Sequence, residues 1–151
     1  MSTHFVPKAY KQQLVPQLAI ENAQAAIDFY KNALGAEQID FAIDPSGKKV
    51  WHCSLRVGDS VFFVNDTFPE MGGSASSSTM WLYVQDCDAA FERAVAAGAK
   101  ATMPVTNMFW GDRMGRIVDP FGQKWTIATH VKDMTPEEKA AEQAFIASTR
   151  Q

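Results

Sequence analysis

Apolar and polar residues alternate from Gln12 to Ile20. Leu14, Pro16, Leu18 and Ile20 fall on one side, and Gln13, Val15, Gln17 and Ala19 on the other. That period of two predicts a strand. Pro16 has no N–H for a ladder, so the strand belongs at an edge or a bulge. The period then changes. Ala26, Ile27, Tyr30, Ala33 and Leu34 form one helical stripe, with Asn22 placed as N-cap and Gly35 as the stop. A second strand over Gln38–Ile43 leads into the turn Asp44-Pro45-Ser46-Gly47.

Lys49–Val57 and Ser60–Asn65 flank Gly58-Asp59, and glycine first in a two-residue loop is the type II′ hairpin pattern. That register sets Val57 opposite Ser60, Arg56 opposite Val61, Ser54 opposite Phe63 and His52 opposite Asn65. Opposed residues share a face. One face therefore carries His52, Ser54, Arg56, Val61, Phe63 and Asn65, and the other Trp51, Cys53, Leu55, Val57, Phe62 and Val64. The second set reads as core. The first, with an arginine at strand centre, reads as a solvated or ligand-lined concavity.

The pattern then starts again. Thr67–Thr79, with Pro69, Gly72-Gly73 and a serine cluster, reads as a mobile connector. Beyond it, Leu82-Tyr83-Val84-Gln85-Asp86 repeats Leu18-Ala19-Ile20-Glu21-Asn22, and Ala89-Ala90-Phe91 repeats Ala25-Ala26-Ile27. The second copy predicts a strand over Met80–Gln85, an N-cap at Asp86, a helix over Cys87–Ala97 closed by Gly98, and a short strand over Ala99–Pro104. Asn107–Met114 reads as a loop rich in aromatics and charge. Gly115–Val118 and Lys124–His130 read as a hairpin around Asp119-Pro120-Phe121-Gly122, whose proline and glycine suit a type I turn with a left-handed exit. Thr135-Pro136-Glu137-Glu138 is a capping box that opens a last helix bearing Ala141, Phe145 and Ile146. That helix is expected to pack on the domain or on a partner chain. Two copies of one unit put a site between them.

Composition narrows the function classes. The 151 residues suit one domain, and 46% hydrophobic with 21% charged residues is ordinary for a globule. A net charge of −3 without a Lys/Arg-rich block gives no electrostatic support for nucleic acid or anionic membrane as a partner. No apolar stretch approaches the roughly 20 residues that span a bilayer. Met1–Lys8 lacks the apolar run of a signal peptide, so the cytoplasm is the expected compartment. The two cysteines, Cys53 and Cys87, form neither a disulfide framework nor a zinc motif and read as structural. The expected organisation is an N-terminal arm (1–11), one domain (12–134; module one 12–66, connector 67–79, module two 80–134) and a C-terminal helix (135–151).

The two β-α-β-β-β copies resemble the vicinal oxygen chelate superfamily, which includes glyoxalase, bleomycin resistance proteins and extradiol dioxygenases. Ala26-Ile27-Asp28-Phe29-Tyr30 with Leu34-Gly35-Ala36 is similar to its first-helix signature, and Asp119-Pro120-Phe121-Gly122 to its last-hairpin signature. His52–Asp59 and Phe109-Trp110-Gly111-Asp112-Arg113 resemble the PhnB-like branch. The resemblance covers roughly residues 12–134. It implies an α+β fold in which two βαβββ modules form a curved mixed-sheet cup, often assembled in a homodimer by exchange of modules.

Enzymes of this superfamily hold a divalent ion with His and Glu/Gln side chains on the inward faces of equivalent strands. The matching positions here read Val15, His52, Thr79 and Thr126. Valine cannot coordinate, threonine hydroxyls are poor ligands for transition metals, and one imidazole does not hold a catalytic ion. No metal or other cofactor is therefore expected. A non-standard metal site using His52 and His130 is the alternative, with no carboxylate of matching parity in view.

His52 is the candidate catalytic residue, a general base oriented by Asn65; the competing reading is a strand histidine hydrogen-bonded to Asn65. Arg56 on that face suits an anionic ligand or a rim salt bridge. Phe63 shares the face. Trp81 and Tyr83, on the face of Thr79, read as aromatic walls of a cup or as core, and Thr126 is a further candidate on its last strand. Phe109, Trp110 and Arg113 read as a loop that covers a ligand, or as an interface, with Arg113 and Arg116 alternatively paired to Asp112 and Asp119. Three functions follow. The first is a metal-free protein that binds an aromatic or polycyclic small molecule in the cup, as a homodimer. The second is a metal-dependent or His52-dependent lyase or oxygenase. The third is a partner-binding homodimer without a ligand.

Overall fold

The repeat folds into two four-stranded sheets with the same strand order. The computed structural model describes residues 5–149; residues 1–4 of the predicted arm and 150–151 of the predicted last helix lie outside them. The first module contains β1 (Gln17–Ala19), α1 (Ala23–Leu34), β2 (Glu37–Ile43), β3 (Val50–Val57) and β4 (Ser60–Asn65), in the sheet order β1-β4-β3-β2. The second contains β5 (Thr79–Tyr83), α2 (Cys87–Ala97), β6 (Lys100–Asn107), β7 (Asp112–Val118) and β8 (Lys124–His130), in the order β5-β8-β7-β6. In each sheet the first strand runs parallel to the last and the other pairs are antiparallel. This is the α+β architecture the resemblance implies. A final helix, α3 (Pro136–Thr149), follows. Among the described residues, no helix is long and apolar enough to cross a membrane.

One core serves both modules. It contains Ala26, Ile27, Tyr30 and Ala33 of α1, Ala94 of α2, and the helix-facing side chains of both sheets, including Leu18, Leu55, Val64, Ile117, Trp125 and Ile127. The two signature motifs meet there. Phe29 packs edge-on against Phe121, and the Tyr30 hydroxyl donates to Asp119 at 2.5 Å. Asp119 also accepts from Trp125 Nε1 (2.9 Å) and from the backbone N–H groups of Phe121 (2.9 Å) and Gln123 (3.0 Å). One buried carboxylate thus shapes its own turn and clamps the first module to the second. Burial and the adjacent Asp119 charge push the Tyr30 phenol far above its ordinary range, so it stays a donor. Burial likewise pushes the Cys53 thiol up to about 11, which leaves it unreactive at neutral pH.

The hairpin register follows the Gly58-Asp59 turn as predicted, with Val57 opposite Ser60, Arg56 opposite Val61 and Ser54 opposite Phe63. It fails beyond Ser54. The Asp66 N–H donates to Val50 O (3.0 Å) and the Asp66 carboxylate accepts the Val50 N–H (2.7 Å), one residue out of step. This bulge turns Trp51 out of the core, half-exposed and edge-on to Phe68. The other Asp66 oxygen accepts the Ala23 N–H at 3.1 Å and so caps α1. Asn22 does not supply that cap. It sits at φ 60°, in the left-handed region, and its side chain makes no capping bond. Asp86 does cap α2, through the Ala89 N–H.

β1 is shorter than the alternation predicts. Pro16 offers no N–H, and the chain before it leaves the ladder, with Leu14 88% exposed. Gln12 replaces the missing strand with its side chain, donating to Val61 O (2.8 Å) and accepting from Val61 N (2.9 Å). The connector is pinned at its far end. Ser76 exchanges hydrogen bonds with the Ala19 backbone, and Gln123 Oε1 accepts from Ser78 N and Oγ. The capping box forms reciprocally between Thr135 and Glu138, but no residue of α3 is buried.

Candidate functional site

A strand alternates its side chains, so each sheet has one face on the core and one away from it. On module two the outer face is ordered by the register. Thr126 of β8 lies between Trp81 of β5 and Arg116 of β7, and Ala128 lies between Tyr83 and Met114. His130 is opposite Asp112. A cavity of about 570 Å³ opens on this face, lined by Thr79, Trp81, Arg116, Lys124 and Thr126 among others. A second, of about 530 Å³, occupies the seam between modules, where Trp81 and Tyr83 meet Leu14, Pro16 and Val61. Trp81 is common to both.

Four rings gather at this end of the sheet. Trp81 is 6.1 Å from Tyr83 and 6.4 Å from Trp110 between centroids, and Phe109 stands edge-on to Trp110 at 4.9 Å. Trp81, Tyr83 and Phe109 are 44%, 57% and 58% exposed. The polar tips of Tyr83 and Trp110 converge on Asp112, which is 2% exposed. Tyr83 Oη donates to Asp112 Oδ2 at 2.8 Å and Trp110 Nε1 to the same oxygen at 2.9 Å; His130 Nδ1 is 2.8 Å from Oδ1. His130 Nε2 reaches Asp133 at 2.6 Å. Burial pushes the Asp112 carboxyl up, but the bonds from His130, Trp110 and Tyr83 outweigh it and hold the group below the usual range. Asp133 and then Asp112 raise His130 above its ordinary value.

Those shifts have opposite linkage signs. A raised histidine stabilises fully below its unfolded pKa of about 6.5 and loses that contribution as pH rises through the native value. A depressed aspartate stabilises fully above about 3.9 and loses it as pH falls through its native value. The cluster is therefore tightest between roughly pH 4 and 6.5. The melting temperature is expected to fall as pH is raised beyond that window, and to fall less in His130→Gln. Identical pH profiles for the two proteins would remove His130 from the account.

The loop that presents Trp110 is short. The pairing of Asp112 with His130 extends the predicted hairpin back to Asp112, and Met108 N–H donates to Asp112 O at 2.7 Å, which leaves only Met108–Gly111 as turn. Gly111 has φ 101°, and a Cβ there would lie 1.9 Å from Lys132 O. Its own carbonyl accepts from the N–H groups of Val131 and Lys132.

The ten residues singled out by sequence separate into four places. Trp81, Tyr83, Phe109, Trp110 and Thr126 share the module-two face. His52, Arg56 and Phe63 lie on the module-one face beneath the chain's own N-terminal arm: Tyr10 packs edge-on to Phe63 at 6.0 Å, and Arg56 donates to Ala9 O. His52 Nε2 is 3.0 Å from Ser54 Oγ, and its ring stands 4.8 Å from Phe63. Asn65 does not orient His52. The bulge breaks that pairing, and Asn65 instead accepts from Gln17 at 2.9 Å and lines a cavity of about 350 Å³ beside Trp51 and Phe68. Arg113 is not on the outer face of the sheet. Asp112 faces outward, so its neighbour must face the helices, where Arg113 pairs with Asp88 of α2 at 2.8 Å.

Asp112 and His130 were the missed partners. Counting back from the Asp119–Gly122 turn puts them opposite each other, but reading Asn107–Met114 as loop gave Asp112 no parity. They do not restore a metal site, because both nitrogens of His130 are taken by carboxylates. Among the described residues, no group of three His, Cys, Asp or Glu is arranged to hold a metal ion. The donor set at the superfamily's positions, Val15, His52, Thr79 and Thr126, does not fit a divalent ion.

Two βαβββ modules around a shared core, with an aromatic outer face on the second, define a protein of the cup-forming two-module class. The Glyoxalase/Bleomycin resistance protein/Dioxygenase superfamily profile matches residues 12–127, and the chain belongs to that superfamily. An uncharacterised protein of Mycobacterium bovis is 35% identical over 134 residues, covering 83% of this chain and 88% of its own length. The structure of TioX from Micromonospora sp. ML1 is similar at 25% identity with a TM-score of 0.68, covering 80% of this chain and 99% of that one. A gene product from Arabidopsis thaliana is similar at 30% identity and 0.64, covering 78% and 98%. A PhnB protein from Bacillus cereus shares the fold at 18% identity and 0.59, covering 78% and 99%.

Proposed function

We propose that this protein binds an aromatic or polycyclic small molecule on the outer face of its second module. One observation carries the reading: four rings stand partly exposed side by side, and two of them, Tyr83 and Trp110, are tied by their polar tips to a single buried carboxylate. Exposed rings on a soluble protein are stabilised by whatever covers them, at about 25 cal/mol per Å² of apolar surface, and a flat ring system adds stacking and edge contacts. Tyr83 and Trp110 are already held by Asp112, so little of their side-chain entropy is lost on binding. A second copy of the chain completes the cup in this reading, as the family resemblance implies.

The test is calorimetric titration with a neutral two-ring probe, 2-naphthylmethanol. Binding is expected, with Trp81→Ala at least about tenfold weaker. Equal affinity in that variant would refute the site. Light scattering on the same samples is expected to give the mass of two 16.7 kDa chains. A one-chain mass removes the pairing and leaves the binding face standing.

A further inference from the structure

The module-two face carries cations that no carboxylate among the described residues neutralises. Arg116, within β7, and Lys124, at the start of β8, both line the 570 Å³ cavity and are exposed. Among the described residues, neither takes part in an ion pair; the pairs present join Arg113 to Asp88, Lys132 to Glu138, and His130 to Asp112 and Asp133. The acids that sequence offers Arg116 are already engaged. Asp112 accepts from His130, Tyr83 and Trp110, and Asp119 is buried on the opposite side of the sheet with Tyr30 and Trp125.

The register shows how complete the imbalance is. One row across the face reads Trp81, Thr126, Arg116 and Met103. The next reads Thr79, Lys124, Val118 and Lys100. Three cations therefore stand in two adjacent rows with no carboxylate between them. The only acid in the rows at the far end is Asp112, opposite His130. A chain of net charge −3 has thus placed unpaired positive charge beside its exposed aromatic group.

We propose that the ligand of this face is a planar aromatic acid, whose ring system lies on Trp81 and whose oxyanion is held by Arg116 and Lys124. The inference rests on the aromatic site proposed above and names its ligand class. The dimensions agree. Strands are about 4.8 Å apart, so Trp81 and Arg116, on either side of Thr126, are separated by roughly 9–10 Å at the backbone. That is on the order of the length of a two-ring acid. Guanidinium presents a planar fork that matches a carboxylate with two parallel bonds, and Lys124 supplies a second charge. The Thr79 and Thr126 hydroxyls lie in the same floor and complement the remaining oxygen lone pairs.

Three probes of one shape separate charge from stacking: 2-naphthoate, 2-naphthylmethanol and 2-naphthylmethylamine, each titrated calorimetrically into the full chain. Naphthoate is expected to bind about tenfold or more tighter than the alcohol, with the amine weakest. The advantage is expected to shrink at high salt. In the doubly neutralised variant Arg116→Gln, Lys124→Gln, it is expected to vanish while alcohol binding is kept. Circular dichroism checks that this exposed pair leaves the fold intact. Equal binding of all three probes, or a preference for the amine, overturns the acid and keeps the aromatic site. A naphthoate preference that survives in the variant overturns the assignment to Arg116 and Lys124. Failure of all three to bind overturns both readings.

Discussion

Asp119→Ala is expected to cost roughly 3–5 kcal/mol of folding stability, because it strands two buried donors at once. Tyr30 Oη and Trp125 Nε1 both end on this carboxylate, and neither has water to fall back on in a site where Asp119 is 3% exposed. The same change releases the N–H groups of Phe121 and Gln123 and loosens the turn. Tyr30→Phe removes only one of the four bonds and keeps the ring packed on Phe62 and Trp125, so about 1 kcal/mol is expected. Urea denaturation of the two variants measures both. If Asp119→Ala proved as mild as Tyr30→Phe, the carboxylate would not be the clamp between modules.

Gly111→Ala is the second large effect, and it acts on function as well as stability. A methyl group at this position would meet the backbone of Lys132 at 1.9 Å, and the φ of 101° is one that alanine avoids. Backbone cannot swing aside as a side chain can. The segment after β8 must therefore separate from the 108–111 turn, at a cost on the order of 3 kcal/mol. Trp110 and Asp112 flank this glycine, so the aromatic group loses its tether in the same step. The comparison is Gly58→Ala, where φ is 59° but nothing lies within 4 Å. That variant is expected to lose about 1–2 kcal/mol through strain alone and to keep naphthylmethanol binding. A Gly111→Ala protein that bound the probe with wild-type affinity would dissociate the turn from the site.

Much of this was legible where periodicity and turn chemistry act locally. The stripe of α1, the Asp86 cap, the boundaries of α2 and β8, and the register next to Gly58-Asp59 all follow from neighbours within a few residues. The misreadings share one cause, which is competition from residues far along the chain. Asp66 out-competes Asn22 for the α1 N-terminus and pulls Val50 out of register, which undoes the His52–Asn65 pair. Pro16 shortens β1, and a side chain from position 12 takes over. The site was half legible. Trp81, Tyr83 and Trp110 could be placed by parity or by loop composition. The Asp112 hub could not be placed while its strand was read as loop, and for the same reason the pairing of Arg113 with Asp88 of α2 was out of view. Nothing in composition says that Tyr10 and Ala9 cover the face bearing His52, because that contact joins residues more than 40 positions apart.

Gln12 also bears on how molecules of this protein behave in a crowd. An uncovered strand edge is a template on which foreign chains add strands, and β4 extends past β1 at Val61. Both hydrogen-bonding groups of Val61 are occupied by one amide side chain. That amide copies the donor and acceptor of a peptide unit but carries no chain onward, so pairing ends there. Ser76 does the same for Ala19 at the outer side of β1. The β1–β4 side of the sheet is finished with two short stoppers in place of another strand, and at Val61 and Ala19 it offers an incoming peptide nothing to extend.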